Sequence, residues 1–233
     1  MPNEHIVKSY DSELARLTEE IARMGDLACA QLRAASSALD ARDIDAARAV
    51  MAADAEIDAL EHEVSHDVIR LLALRQPMAR DLREVMAALR ISADIERIGD
   101  YAKNVAKRTL ALKDAPQIAA TRALASLAQL AQELVAETLV AYRARDAERA
   151  MKVRARDAEL DAEYTQLFRS LLTYMMEDPR NISACTHLLF AAKNIERIGD
   201  HATNIAENIW FIVHGALPAE EREKGDLTTA PSR

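Results

Sequence analysis

Ile95-Glu96-Arg97-Ile98-Gly99-Asp100 recurs unchanged as Ile195-Glu196-Arg197-Ile198-Gly199-Asp200, one hundred residues further along the chain. Six identical residues in two halves of one chain lie far outside chance. The flanks repeat as well: Ala102, Asn104 and Ala106 return as Ala202, Asn204 and Ala206. Upstream, Ala41-Arg42-Asp43 matches Ala144-Arg145-Asp146, and Asp54-Ala55-Glu56-Ile57-Asp58 matches Asp157-Ala158-Glu159-Leu160-Asp161. The chain is a tandem duplication, and what it repeats most faithfully is pairs of carboxylates at i and i+4. The offset between halves is 103 upstream and 100 at the hexapeptide, so one repeat carries almost one extra helical turn.

Composition sets the class. Only five glycines and six prolines in 233 residues, with abundant Ala, Leu, Glu and Arg, point to an all-α protein. Aromatic residues make up 4%, too few for a typical β-sandwich or barrel, and 50% apolar residues suffice for a substantial core. The formal charge of −8 provides no basic field to displace counterions, which argues against nucleic-acid binding. Cys29 and Cys185 lack metal-type spacing and read as small buried residues of a reducing compartment. Residues 1–10 carry charges and no apolar core, so they do not read as a signal peptide, and no apolar run approaches membrane-spanning length. The expectation is a cytoplasmic protein without direct membrane insertion.

Helix punctuation predicts six long helices in two sets of three. The first runs from about Ser9 to Leu39 with Leu14, Leu17, Ile21, Met24, Ala28 and Leu32 along one face. Asp43 is the natural N-cap of the second, Pro77 marks the start of the third, and the third extends to about Leu112. Asp114-Ala115-Pro116 opens the second set, Asp146 caps the fifth helix, and Asp178-Pro179 opens the sixth, which runs to about His214. Helices of about thirty residues joined by short connections give two elongated, antiparallel three-helix bundles. The expected units are residues 9–113 and 114–214, followed by a frayed tail over 215–233.

At roughly 100° per residue, Ile91, Ile95, Ile98, Ala102 and Val105 form one core stripe, and Glu96 and Asp100 fall nearly opposite it. Glu196 and Asp200 repeat that placement. Asp54 with Asp58, and Asp157 with Asp161, lie on the flanks of the preceding helices' apolar stripes. The simplest convergence brings four carboxylates together on the outer face of each bundle. Like charges at i, i+4 destabilise a helix by a few tenths of a kcal/mol, so their repetition calls for a cause. One cause is a solvated acidic face neutralised by Arg97, Lys103 and Lys107 or by arginines across the groove. The other is a site for hard cations such as Mg, Mn, Ca or oxidised Fe, open enough for more than one ion. Gly99 and Gly199, two of the five glycines, imply close approach of a neighbouring helix backbone.

These motifs, together with Gln76-Pro77-Met78-Ala79-Arg80-Asp81-Leu82-Arg83, resemble the PhoU family of accessory regulators of bacterial phosphate uptake, from about Ser9 to His214. The resemblance implies two three-helix bundles bearing multinuclear metal clusters (Fe, Mn, Mg or Zn) at Asp54 and Asp58, Glu96 and Asp100, Asp157 and Asp161, and Glu196 and Asp200. It further implies a homodimeric negative regulator of the phosphate-starvation response that catalyses nothing. Its expected partners are the ATPase subunit of the phosphate transporter and the sensor histidine kinase, which would recruit it to the inner face of the membrane. Arg80, Asp81 and Arg83 are the expected contact residues, in one repeat only, because the second half has Asp178-Pro179-Arg180-Asn181 there. His201, in place of Tyr101, is either an added nitrogen ligand or a surface residue.

The rival class is a helical-bundle metalloenzyme. Glu63-Val64-Ser65-His66 has the Glu-x-x-His spacing of di-iron oxidases, but those need it twice and the duplication lacks a second copy. His66-Asp67, with His62 one turn earlier, alternatively fits a metal phosphohydrolase. A third class is a helical adaptor without metal.

Overall fold

The computed structural model describes residues 2–219 except 76, 77 and 79, with backbone alone for 2–11 and 75. Six helices account for almost all of it: α1 (Pro2–Ala41), α2 (Ile44–Arg75), α3 (Arg80–Ala111), α4 (Thr121–Ala144), α5 (Ala147–Glu177) and α6 (Ile182–His214). The all-α, six-helix expectation holds, and the signals at the α1–α2 and α4–α5 turns are those the sequence supplies. Asp43 accepts from the backbone N–H groups of Asp45 and Ala46, and Asp146 accepts from that of Arg149. Each satisfies donors that a first helical turn leaves orphaned. Before each cap stands an arginine in the left-handed region, Arg42 at φ 54° and Arg145 at φ 53°.

Three boundaries differ from expectation. α1 begins at Pro2 rather than Ser9. α4 starts only at Thr121, after a link of turns in which the Arg42 guanidinium donates to the carbonyls of Ala115 and Pro116. Asp178 caps a single 3-10 turn, Pro179–Asn181, before α6 begins. The boundary expected at Pro77 lies outside the described residues, as does most of the tail, from residue 220 onward.

The two sets of three helices share one continuous apolar core. α1 packs on α2, α3 and α4, and α6 packs on α3, α4 and α5, so the repeats meet along α1–α4 and along α3–α6. The α3–α6 seam is antiparallel: Arg108 lies over the Phe190 ring, Arg197 donates to the Tyr101 hydroxyl, Asp94 meets His201, and Arg90 lies over Phe211. The α2–α3 and α5–α6 connections therefore lie at opposite ends of the molecule. No helix among the described residues is long and apolar enough to cross a membrane.

Candidate functional site

Each repeat places its acidic residues where its second and third helices pack together, and Gly99 and Gly199 decide how closely. A Cβ on Gly99 would lie 3.0 Å from Ile57 Cδ1 and 3.4 Å from Asp54 Oδ1. A Cβ on Gly199 would lie 2.2 Å from Leu160 Cδ2 and 2.8 Å from Asp157 Oδ1. The glycines thus make room for an aliphatic side chain and a carboxylate of the neighbouring helix, not for its backbone as expected.

The carboxylates are also not outward. Asp54 is 1% exposed, Asp157 and Asp161 2%, and Glu196 5%; Asp58, Glu96, Asp100 and Asp200 are half-buried. The reason is that α3 has neighbours on two sides, α1 and α2 on one and α6 on the other. Its buried arc is consequently wider than the isoleucine stripe and takes in Ser92, Gly99 and Ala106. Glu96 stands at the edge of that arc rather than opposite it, and α6 repeats the arrangement.

Both acidic pairs of each repeat act in a common field. Burial first, and then Asp100, push the Glu96 carboxyl above its ordinary value against the pull of Arg97, with Asp58 and Glu61 adding to the push. Glu196 is raised chiefly by burial, with Asp200 and Asp161 acting the same way and Lys193 opposing. Basic side chains complete each group. Lys103 Nζ donates to Asp54 Oδ2 at 2.5 Å, and Gln31 of α1 donates to Asp54 Oδ1 at 2.9 Å. Arg97 pairs with Asp100 at 2.9 Å and with Glu96 at 3.1 Å. In the second repeat Lys193 Nζ donates to Glu196 Oε1 at 2.8 Å and sits 5.0 Å from the Tyr164 ring centre. The bond to Asp54 raises the Lys103 ammonium above its ordinary value.

Gln31 and Lys193 were not anticipated in these sites. Gln31 carries a legible signal, an amide on the otherwise apolar face of α1. Lys193 carries none, because a lysine three residues before a glutamate is an ordinary helix-surface pair.

The expected contact residues are only partly open. Arg80 is exposed, its Nε 3.2 Å from Glu84 Oε1. Asp81 and Arg83 are half-buried, and the Arg83 guanidinium carbon would be 3.4 Å from a Cβ on Gly215, the left-handed cap of α6. A cation beside a helix C-terminus is favourably placed against the helix dipole. Arg80 and Asp81 line a cleft of about 280 Å³ with Leu14, Ala15, Glu84 and Arg145. His201 is half-buried and faces the seam between α3 and α6. Its Nδ1 donates to Asp94 Oδ1 at 2.7 Å across the seam, beside Asn204, which donates to the same oxygen at 3.1 Å.

The model of the PhoU domain matches this chain twice, over residues 21–109 and 124–209. The chain belongs to the PhoU family. It is 59% identical over 227 residues to the phosphate-specific transport system accessory protein PhoU homolog of Xylella fastidiosa (strain 9a5c), covering 97% of this chain and 96% of that protein. The homolog of Caulobacter vibrioides (strain NA1000 / CB15N) is 51% identical over 225 residues, 96% of this chain and 98% of its own. The crystal structure of PhoU from Pseudomonas aeruginosa superposes with a TM-score of 0.85 at 36% identity, over 89% of this chain and 100% of that one. That of the phosphate transport system regulatory protein PhoU from Streptococcus pneumoniae gives 0.84 at 28% identity, over 90% and 99%.

In this PhoU chain the donor chemistry suits a hard cation. The groups are carboxylates, and two enclosed oxygens, Glu196 Oε2 and Gln31 Oε1, accept no hydrogen bond. Among the described residues, however, no three His, Cys, Asp or Glu side chains converge as a metal ion requires. The residues fit a cation in kind, with lysine ammonium groups seated among them. The metalloenzyme pattern fares worse: Asp67 is taken by Arg16 and by Arg70, the latter at 3.3 Å, while His66 Nδ1 stays 3.7 Å away.

Proposed function

We propose that this protein is the accessory regulator of a phosphate-specific transport system, and that it represses phosphate uptake and the phosphate-starvation response by contacting other proteins. The observation that carries this reading is the near-full-length identity to the Xylella fastidiosa homolog. The contacts proposed are with the transporter's ATPase subunit and the sensor histidine kinase, at the inner face of the membrane, with the protein acting as a homodimer. The cleft at Arg80 and Asp81 is the favoured contact, because exposed Leu74, Met78 and Leu82 surround this end of α2 and α3. Exposed apolar groups beside a charged cleft are the composition of a protein-binding surface.

We also propose that the two acidic groups take hard cations, more than one per repeat. Bound cations would neutralise the groups and fix the packing of each second helix on its third.

Deleting the gene should leave starvation-response genes active in phosphate-replete cells. Full-length protein should capture the ATPase subunit or the kinase from lysate, and Arg80→Glu should weaken that capture by roughly tenfold through lost charge pairing. A deletion strain that silences the response normally, with no capture of either partner, would end the regulatory reading.

A further inference from the structure

We infer that the end of the molecule where α2 meets α3 docks on an anionic lipid surface. The inference rests on the placement at the inner face of the membrane proposed above, and adds to it a direct contact with lipid. At this end Leu74 is 73% exposed, Met78 80% and Leu82 40%. The C-terminus of α6 reaches the same end, since Gly215 lies beside Arg83 of α3, and it brings the exposed Leu217 with it. Four large apolar side chains left in water at one end mark a docking surface for a protein or a membrane.

Charge decides between the two. Residues 69–83 contain four arginines and one aspartate, a balance of +3 in a chain of −8. Arg70 and Arg80 are 44% and 65% exposed in their side chains, and each meets an acid of its own helix at 3.3 and 3.2 Å. A guanidinium carries five N–H donors, so a pairing of this kind still lets it reach phosphate oxygens. Arginines interleaved with exposed aliphatic groups suit an anionic bilayer twice over. The cations sit at the level of the phosphates, and the apolar tips enter the acyl boundary below them. A protein partner would need a cavity matched to each protruding side chain, whereas a fluid bilayer conforms to them.

The duplication supplies the contrast. The α5–α6 end, at the opposite pole, exposes Leu172, Met176 and Ile182, the last equivalent to Leu82 at the offset of one hundred residues. Residues 169–183, the counterpart of 69–83, hold two arginines, one glutamate and one aspartate, a balance of zero. Both poles are apolar and only one is basic, so an anionic surface selects the α2–α3 end. That orientation leaves the cleft at Arg80 and Asp81 next to the headgroups, where the soluble face of a membrane-bound partner would meet it.

The test is sedimentation of full-length protein with vesicles of phosphatidylcholine, alone or with one third phosphatidylglycerol. Binding should be at least about tenfold stronger to the anionic vesicles and should fall as salt rises. Leu74→Ser/Met78→Ser removes two exposed side chains and should weaken anionic binding on the order of tenfold. Arg70→Gln should weaken it about fivefold, the worth of one arginine near such a surface, without changing binding to phosphatidylcholine. Leu172→Ser/Met176→Ser, at the neutral pole, should bind like the parent. No preference for anionic vesicles, or equal losses from the variants of both poles, would overturn the inference. So would a Leu74→Ser/Met78→Ser protein that binds vesicles like the parent but no longer captures the ATPase subunit or the kinase from membrane-free lysate. Capture of either partner by a parent protein that ignores both vesicles would overturn the lipid contact and leave the regulatory reading standing.

Discussion

Gly99 and Gly199 stand on equivalent turns of α3 and α6, yet a methyl group would meet different resistance at each. On Gly99 the nearest atom is the mobile Cδ1 of Ile57 at 3.0 Å; on Gly199 it is Leu160 Cδ2 at 2.2 Å, with Asp157 Oδ1 at 2.8 Å. Alanine gains up to about 1 kcal/mol of helix propensity over glycine, and overpacking a core costs about 1–3 kcal/mol. The two effects nearly cancel at Gly99, so Gly99→Ala should change stability by less than about 0.5 kcal/mol. At Gly199 the clash wins, and Gly199→Ala should destabilise by about 1–2 kcal/mol in urea unfolding of the metal-free protein. Equal effects in the two variants would show that the repeats pack their acidic pairs alike. At this scale the sequence revealed which residues matter and concealed how deep they lie. The pairing of Glu96 with Asp100 is legible as i, i+4 spacing. Their burial is set by α6 packing on the far side of α3, a contact between positions one hundred residues apart that no helical wheel contains.

At the scale of the element, the duplicated Ala-Arg-Asp carries more than a helix cap. Glycine is the usual residue in the left-handed position that ends a helix, because a side chain there costs roughly 1 kcal/mol. Arginine stands there twice, and both times its side chain crosses to the other repeat. Arg42 of the first holds the Ala115 and Pro116 carbonyls that lead into α4, and Arg145 of the second donates to Glu84 Oε2 on α3 at 2.7 Å. Glu84 is 9% exposed in its side chain and also receives Arg80 at 3.2 Å. A double-mutant cycle over Arg145→Ala and Glu84→Gln should give a coupling of about 1–2 kcal/mol, well above the 0.2–1 kcal/mol typical of exposed pairs. A coupling near zero would make Arg145 a strained cap with no compensating contact. The aspartates of these turns were readable as N-caps from their chemistry alone. The delayed start of α4 was not, and the Arg42 contact that accompanies it joins residues more than seventy apart.

For the whole molecule the question is whether two copies of one unit behave as two units. A tandem duplication with its own helices in each half suggests separable domains, and multidomain chains often unfold in steps. The seam argues the other way. Leu139 of α4 presses against Gly25 of α1, where an added Cβ would lie 2.3 Å from it. Ile91, Ile95, Ile98, Ile195, Ile198 and Ile205 are all fully buried on the two helices that meet along the antiparallel seam, which Asp94 and His201 cross. Separating the repeats would expose part of a continuous apolar core and strand these polar partners, a cost that isolated three-helix units would have to bear alone. Trp210 is the only tryptophan and belongs to the second repeat, so its fluorescence reports that half while helical circular dichroism reports both. In urea the two signals should trace one coincident transition with a common midpoint and slope. A fluorescence transition displaced from the dichroism transition would mean that the seam is weaker than its burial implies. Coincidence would mean that the two repeats, and with them the two acidic groups, unfold as one cooperative unit.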